Sequence, residues 1–215
     1  MSKLRFKISM SLDGFVAGPT QSVENPLGIG GMRLHEWAFA LETARAQHGL
    51  EGGVVNKSTA VVEDSLANIG ATVMGRNMFG GHPGPWSTAK PWNGWWGTSP
   101  PFHHPVFVIT HHAREPLELE GGTTFTFVTN GIEAALEQAR QAAGGKDVSL
   151  AGGARAAQQY LAANLVDEME INLVPTLLGA GERLFEGIGD DLHGLEPVRT
   201  IAAPGVTHLK FAKST

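Results

Sequence analysis

The stretch Asp147–Gly187, DVSLAGGARAAQQYLAANLVDEMEINLVPTLLGAGERLFEG, constrains the fold more than any other part of the chain. It reads as a buried strand, a glycine pair, an amphipathic helix, a second strand and a glycine-rich turn. A strand that runs through a glycine pair into a helix is how α/β proteins bring backbone N–H groups up to a phosphate. The segment therefore implies a βαβ unit, a parallel sheet and a phosphorylated ligand.

The rest of the chain is read around that unit. Leu4 to Ser11 alternates as a first strand, followed by turn signals at Asp13-Gly14 and Gly18-Pro19. Arg33 to Gln47 reads as a helix with Leu34, Trp37, Ala38 and Leu41 on one face. Glu63 to Ile69 reads as a shorter helix, capped by Ser58 or Thr59 some way upstream, and Ala71 to Met74 as a short strand. Val106 to Thr110 and Thr123 to Val128 are apolar strands. Asn130 caps a helix from Gly131 to Ala143, and Arg155 to Ala163 forms the next. Met169 to Val174 is a strand that Pro175 ends, and Val198–Ala203 with Val206–Ala212 forms a closing antiparallel pair. One α/β domain with a mixed sheet and no linker is expected over residues 1–215.

Residues 80–105 break this rhythm. They hold no periodic element and carry Trp86, Trp92, Trp95 and Trp96. A structureless loop of that length is usually functional. It reads equally as a flap packed through its aromatics or as a lid over a flat heteroaromatic ligand, and a subunit interface could use it too.

Composition excludes several functions. The formal net charge is −5 with no clustered Lys/Arg stripe, so no nucleic-acid partner is expected. Cysteine is absent, which removes disulfides, thiol nucleophiles and thiolate metal sites and suits a cytoplasmic protein. No apolar h-region and no membrane-spanning run is visible.

Four motifs could carry chemistry. Ala151-Gly152-Gly153-Ala154-Arg155 would let backbone approach a pyrophosphate at a helix N-terminus. Val73-Met74-Gly75-Arg76 opens a strand onto a guanidinium able to grip a phosphate bidentately. Thr110-His111-His112-Ala113-Arg114 ends a strand with donors suited to a ribose 2′-phosphate. Adjacent strand residues face opposite ways, so His111 and His112 do not share an ion, and no metal is expected. Ser9 to Gly18 ends the first strand in an Asp-Gly turn that would bring polar groups to a nicotinamide ring. The Rossmann G-x-G-x-x-G pattern, the P-loop and the G-x-S-x-G elbow are all missing.

Taken in this order, the motifs KISMSLDGFVAG, VMGR, VFVITH and LAGGARAAQQYL followed by LVDEMEINLVPTLLGAGERLF resemble the dihydrofolate reductase superfamily. The likeness is greater to the branch holding the reductase domain of bacterial riboflavin biosynthesis, and it runs over nearly the whole chain. It implies a three-layer α/β/α fold with a mixed, mostly parallel sheet of about eight strands, and NADPH as cofactor. It implies that Gly75 and Arg76 hold the adenosine-side phosphates, and that Thr110 and His111 stand at the adenine ribose phosphate. Gly152, Gly153 and Arg155 would hold the pyrophosphate, and Ala17 would lie beside the nicotinamide. Lys7, Ser9, Ser11 and Asp13 match the first-strand pattern of the riboflavin branch. Asp13 and Lys7 are its catalytic candidates, and Ser11 and Trp37 its substrate contacts. A homodimer paired through a sheet edge and the C-terminal region is also implied. The chain departs from the family at Met78, which replaces the threonine of Gly-Arg-x-Thr, and it lacks a clear pteridine-binding carboxylate, with Glu36 and Glu42 on the corresponding helix. The function expected is an NADPH-dependent reductase of a small heterocycle resembling a pterin, a pyrimidine or a flavin precursor. The alternative is a nucleotide, flavin or pterin binder that does not catalyse this reaction.

Overall fold

In the computed structural model, which describes residues 2–47, 49–190, 192 and 194–214, strands and helices follow the chain in this order. They are β1 (Leu4–Ser11), β2 (Phe15–Ala17), α1 (Glu36–Phe39), α2 (Glu42–Gln47), α3 (Lys57–Leu66), β3 (Ile69–Gly75) and α4 (Arg76–Phe79). Then come β4 (Pro105–Ile109), β5 (Leu117–Glu118), β6 (Thr124–Val128), α5 (Gly131–Ala142), β7 (Asp147–Leu150) and α6 (Ala154–Ala162). The chain closes with β8 (Glu168–Val174), β9 (Glu182–Arg183), β10 (Leu195–Ala203) and β11 (Val206–Lys213). The fold is α/β, with a large mixed, mostly parallel sheet and an antiparallel pair at its C-terminal end. The chain groups into two compact units, Met1–Arg5 with Asn68–Leu165 and Phe6–Ala67 with Val166–Thr215.

In the first unit the strand order is β7-β3-β4-β6-β5. β7, β3, β4 and β6 run parallel, and β5 returns antiparallel on β6. Parallel strands are buried on both faces, which is why β4 reads PVFVI without alternation. α5 buries Ala135, Leu136 and Ala139, and α6 buries Ala156, Ala157, Tyr160 and Leu161. The Tyr160 hydroxyl donates to the Ile132 carbonyl at 2.8 Å.

In the second unit the order is β10-β11-β8-β1, with β10, β11 and β8 antiparallel. β2 and β9 form a separate two-stranded ribbon. α3 begins at Asn56, whose Oδ1 accepts the Ser58 N–H at 2.7 Å while Thr59 Oγ1 accepts the Asn56 N–H at 3.1 Å. It spans Lys57–Leu66, so the helix expected over Glu63–Ile69 starts earlier and Asn56, not Ser58 or Thr59, is its cap.

The single helix expected over Arg33–Gln47 is divided. A 3₁₀ turn over Gly31–Leu34 is followed by α1 and α2. Between them Ala40 C=O accepts the Val54 N–H, Glu42 N–H donates to Val54 C=O, and Leu41 bridges to Val54. Those backbone groups are committed to a strand-like pairing and cannot continue a helical ladder. Of the apolar face expected there, Leu34 and Leu41 are fully buried, whereas Trp37 and Ala38 are half-buried.

Candidate nucleotide-binding site

In the first unit, three predicted motifs meet at the carboxyl ends of three neighbouring strands. β7 ends at Leu150 and leads into Gly152-Gly153, β3 ends at Gly75-Arg76, and β4 ends at Ile109-Thr110. Their order, β7-β3-β4, makes the three turns neighbours. The carboxyl edge of an open α/β sheet is where ligands of such folds bind.

The turns are bonded to one another. The Gly75 N–H donates to the Gly152 carbonyl at 2.7 Å, and the Ala151 N–H donates to the Val73 carbonyl at 3.0 Å. A Cβ built on Gly75 would stand 3.1 Å from the Ala156 Cβ of α6, so glycine lets strand and helix approach. The Gly152–Gly153 peptide is cis. A Cβ built on either glycine would meet nothing within 4 Å, so this backbone borders open space at the start of α6. That is the geometry a pyrophosphate needs, and here the residues fit the group. Arg155 lies exposed in the first turn of the same helix.

Arg76 opens α4. It donates from Nη2 to the His82 carbonyl at 2.9 Å, and its guanidinium carbon lies 3.6 Å from the centroid of Trp86. Its Nε is buried and has no hydrogen-bond partner among the described residues. Burial, with Arg114 nearby as a second cation, holds the Arg76 pKa down to about 10. Thr110 is buried, and its Oγ1 accepts the His112 N–H at 3.2 Å, closing a turn that leaves His111 exposed.

The Trp-rich segment packs on this unit. Trp86, Trp92 and Trp96 lie against a cluster built from Met74, Phe79, Val108 and Phe125. Three indole N–H groups each donate to a backbone carbonyl: Trp86 to His112 at 2.7 Å, Trp92 to Phe79 at 2.9 Å and Trp95 to Met78 at 3.0 Å. A flap packed through its aromatics is one of the readings the sequence offers, but the indole-to-carbonyl bonds were not foreseen, although Phe79-Gly80-Gly81 hints at the close approach. Both glycines have positive φ, and a Cβ on Gly80 would sit 2.3 Å from the Trp95 ring. Met78, standing at the family's threonine position, packs against the same cluster.

In the second unit Ser9 to Gly18 forms the end of β1, a turn and β2. Asp13 receives the Leu178 N–H at 3.1 Å and the Gly179 N–H at 2.7 Å. The Ser11 side chain, together with these N–H groups, lowers its pKa to about 2, so Asp13 is a fixed carboxylate at neutral pH. Ser11, fully buried, accepts the Phe15 N–H on its Oγ at 2.9 Å. Lys7 Nζ donates to Ser65 Oγ on α3 at 2.7 Å. The half-buried Trp37 shares its N–H between the Leu34 carbonyl at 3.0 Å and Ser9 Oγ at 3.3 Å. Ala17 is buried on β2, and its carbonyl lies 2.0 Å from where a Gly181 Cβ would be. Glu36 and Glu42, at the starts of α1 and α2, are exposed.

A buried polar group that sequence reading missed lies in this unit. His208 is fully buried between Asn172 and Ser58. An amide oxygen only accepts, so Nδ1 carries the proton to Asn172 Oδ1 at 2.7 Å and Nε2 accepts the Ser58 hydroxyl at 2.9 Å. The Trp37 ring meets the imidazole edge-on with centroids 5.0 Å apart. Ser58 and His208 are both closed to solvent, so this Ser-His-Asn arrangement is structural and offers no nucleophile to a substrate.

Among the described residues no cluster of three or more His, Asp or Glu is arranged to hold a metal ion. His104 Nε2 bonds Thr72 Oγ1 at 2.8 Å, and His103 Nδ1 bonds the Gly121 carbonyl at 2.8 Å. No helix among them is long and apolar enough to cross a membrane.

With this geometry in hand, comparison with known proteins decides the family. The RibD C-terminal domain family matches residues 2–214. The chain belongs to the RibD C-terminal domain family. That family is a reductase domain of riboflavin biosynthesis. Among solved structures, a Shewanella sp. PV-4 protein described as acting in riboflavin biosynthesis aligns at 19% identity, with TM-score 0.60 and 100% of both chains covered. The Thermotoga maritima diaminohydroxyphosphoribosylaminopyrimidine deaminase/5-amino-6-(5-phosphoribosylamino)uracil reductase aligns at 12% identity and TM-score 0.56, covering 99% of this chain and 57% of that one. Enterococcus faecalis dihydrofolate reductase, solved with NADP(H), aligns at 12% identity and TM-score 0.51, covering 99% and 97%. At these identities the structural likeness shows the fold. No curated protein matches the chain by sequence.

Proposed function

We propose that this RibD-family domain is an NADPH-dependent reductase of a small heterocyclic substrate. One observation carries the reading. The open Gly152-Gly153 backbone, the Gly75 turn bonded to it and the half-buried Arg76, whose Nε is unpaired among the described residues, lie at the ends of adjacent parallel strands. Backbone donors, a helix start and a guanidinium are a recurrent recipe for a nucleotide's phosphates.

In this reading Gly152, Gly153 and Arg155 bind the pyrophosphate, and Gly75 and Arg76 bind the adenosine-side phosphates. Thr110 and His111 stand at the ribose phosphate. Bound NADPH would supply the hydride. Ala17 is proposed for the nicotinamide, and Lys7, Ser11, Asp13 and Trp37 for the substrate. Asp13 would act there as a fixed negative charge, because a carboxyl with a pKa near 2 holds no proton to give at neutral pH. In this reading the proton comes from water. Cytoplasmic location and a homodimer remain part of the proposal.

A titration with NADPH followed by tryptophan quenching tests this. Saturable quenching between micromolar and sub-millimolar cofactor is expected. No saturation at millimolar NADPH would overturn it. Arg76→Ala and His111→Ala should each lose more affinity for NADPH than for NADH. Equal losses would mean that the 2′-phosphate is read elsewhere.

A second reading rests on the same Asp13. Asp13, the one carboxylate among these candidates, is held ionised by its internal bonds and has no proton to give at neutral pH. That favours a member that binds a nucleotide, flavin or pterin without reducing it. The absorbance of the purified protein separates the two, since a retained flavin or pterin would be coloured.

A further inference from the structure

Arg76 is the residue on which nucleotide selectivity rests in the proposed reading, and its surroundings do not come from the sheet. α4 is only four residues long, too short to hold a shape unaided. Its last carbonyls, on Met78 and Phe79, are capped by the Trp95 and Trp92 indoles. The Arg76 side chain is seated on the Trp86 ring and bonded to the His82 carbonyl. Trp86 also reaches the neighbouring loop, giving its N–H to the carbonyl of His112, one residue beyond His111. The insert is itself pinned from the β4 side. Arg114 donates to the Trp92 carbonyl and to Asn93 Oδ1, the latter at 2.8 Å, and its guanidinium carbon lies 5.2 Å from the Trp86 centroid.

We infer that Trp86 is a positioning residue for 2′-phosphate recognition: it fixes the Arg76 guanidinium on one face and the Thr110–His112 loop through its indole N–H. The inference rests on the NADPH reading. A guanidinium lying over an indole keeps its remaining in-plane N–H donors, beyond the one given to His82, available to a phosphate while losing rotamer freedom in advance. Arg76 and Arg114 share the Trp86 ring, and neither forms an ion pair with a carboxylate among the described residues. Two cations on one ring repel each other, and a dianion beside them relieves that repulsion. The Trp-rich segment is in this view a built-in wall of the selectivity subsite rather than a mobile cover.

Two variants test it. Trp86→Leu removes both the ring face and the N–H. Trp86→Phe keeps a ring for the hydrophobic cluster and a weaker cation–π seat but drops the bond to His112. Dissociation constants for NADPH, NADH, 2′,5′-ADP and 5′-ADP are measured on each folded protein by calorimetry. Trp86→Leu should weaken NADPH and 2′,5′-ADP by about tenfold, the value of one buried cation–π contact, and the non-phosphorylated pair much less. Trp86→Phe should fall between Trp86→Leu and the native protein. Equal losses for all four ligands would mean that Trp86 merely stabilises the unit, and would overturn the inference. The Arg76 Nε–H signal in NMR gives a readout that needs no nucleotide. It should be ring-shifted and slow to exchange in the native protein and should lose both properties in Trp86→Leu. An unmoved signal overturns the positioning role. Failure of the native protein to bind NADPH, with the Arg76 signal still tied to Trp86, would instead overturn the reductase reading and leave the clamp standing.

Discussion

His208 should make the protein acid-sensitive in a window set by one imidazole. Burial, with Arg199 and Lys7 adding positive charge nearby, lowers its pKa from the ordinary 6.5 to about 4. The unfolded chain therefore takes up a proton at a higher pH than the folded one. Stability contributed by the neutral imidazole is complete above about pH 6.5 and is lost as the pH falls through about 4. At ~1.4 kcal/mol per pH unit, that difference corresponds to about 3 kcal/mol. A domain of this kind has roughly 5–15 kcal/mol of stability in total, so the effect is large. His35 and His104 are also held below their ordinary range by burial, so the native profile contains their contributions too. His208→Gln isolates the one residue, since its amide can still face Asn172 and Ser58 without titrating. Urea unfolding followed by tryptophan fluorescence, at steps from pH 7 to 4.5, gives both profiles. The native protein should lose stability more steeply than His208→Gln, with the gap approaching 3 kcal/mol toward the lower end. Parallel profiles would refute the burial argument.

Further expectations concern the glycines and Asp13. Gly153→Val adds a side chain into open space at an ordinary negative φ of −73°, so the melting temperature should hold while NADPH binding falls at least tenfold by calorimetry. Gly80→Ala drives a Cβ into the Trp95 ring at a φ of +86°, and should cost ~2 kcal/mol or more in denaturant unfolding. Asp13→Ala frees the Leu178 and Gly179 N–H groups, so both amides should exchange faster with deuterium. Because the Asp13 pKa is lowered, its contribution to stability is present above about pH 3.8 and disappears as the pH falls through about 2.

The cofactor half of the candidate site was legible because each piece has a local cause. Gly75, Gly152 and the Thr110 turn follow apolar strands, and parallel strands order their carboxyl ends together, so the three turns become neighbours. Elements whose causes are long-range were not legible. α1 and α2 separate because residues 40–42 pair with Val54, a partner that no periodicity announces. The two-residue strands β5 and β9 are too short to leave a pattern. Trp86, Trp92, Trp95 and Trp96 marked residues 80–105 as unusual, but only tertiary packing shows that the N–H groups of the first three cap α4 and the Thr110–His112 loop. His208 gave no warning either, because a histidine in an alternating strand reads as a surface residue until its neighbours across β8 and α3 are known.

The most direct test of the account is where NADPH perturbs the protein. Amide NMR signals followed during an NADPH titration should shift together, and saturably, at Gly75, Gly152, Gly153 and His111, with larger shifts than those from NADH at Arg76 and His111. Saturable binding that leaves the Gly152 and Gly153 amides unmoved, or no binding at millimolar NADPH, would contradict it.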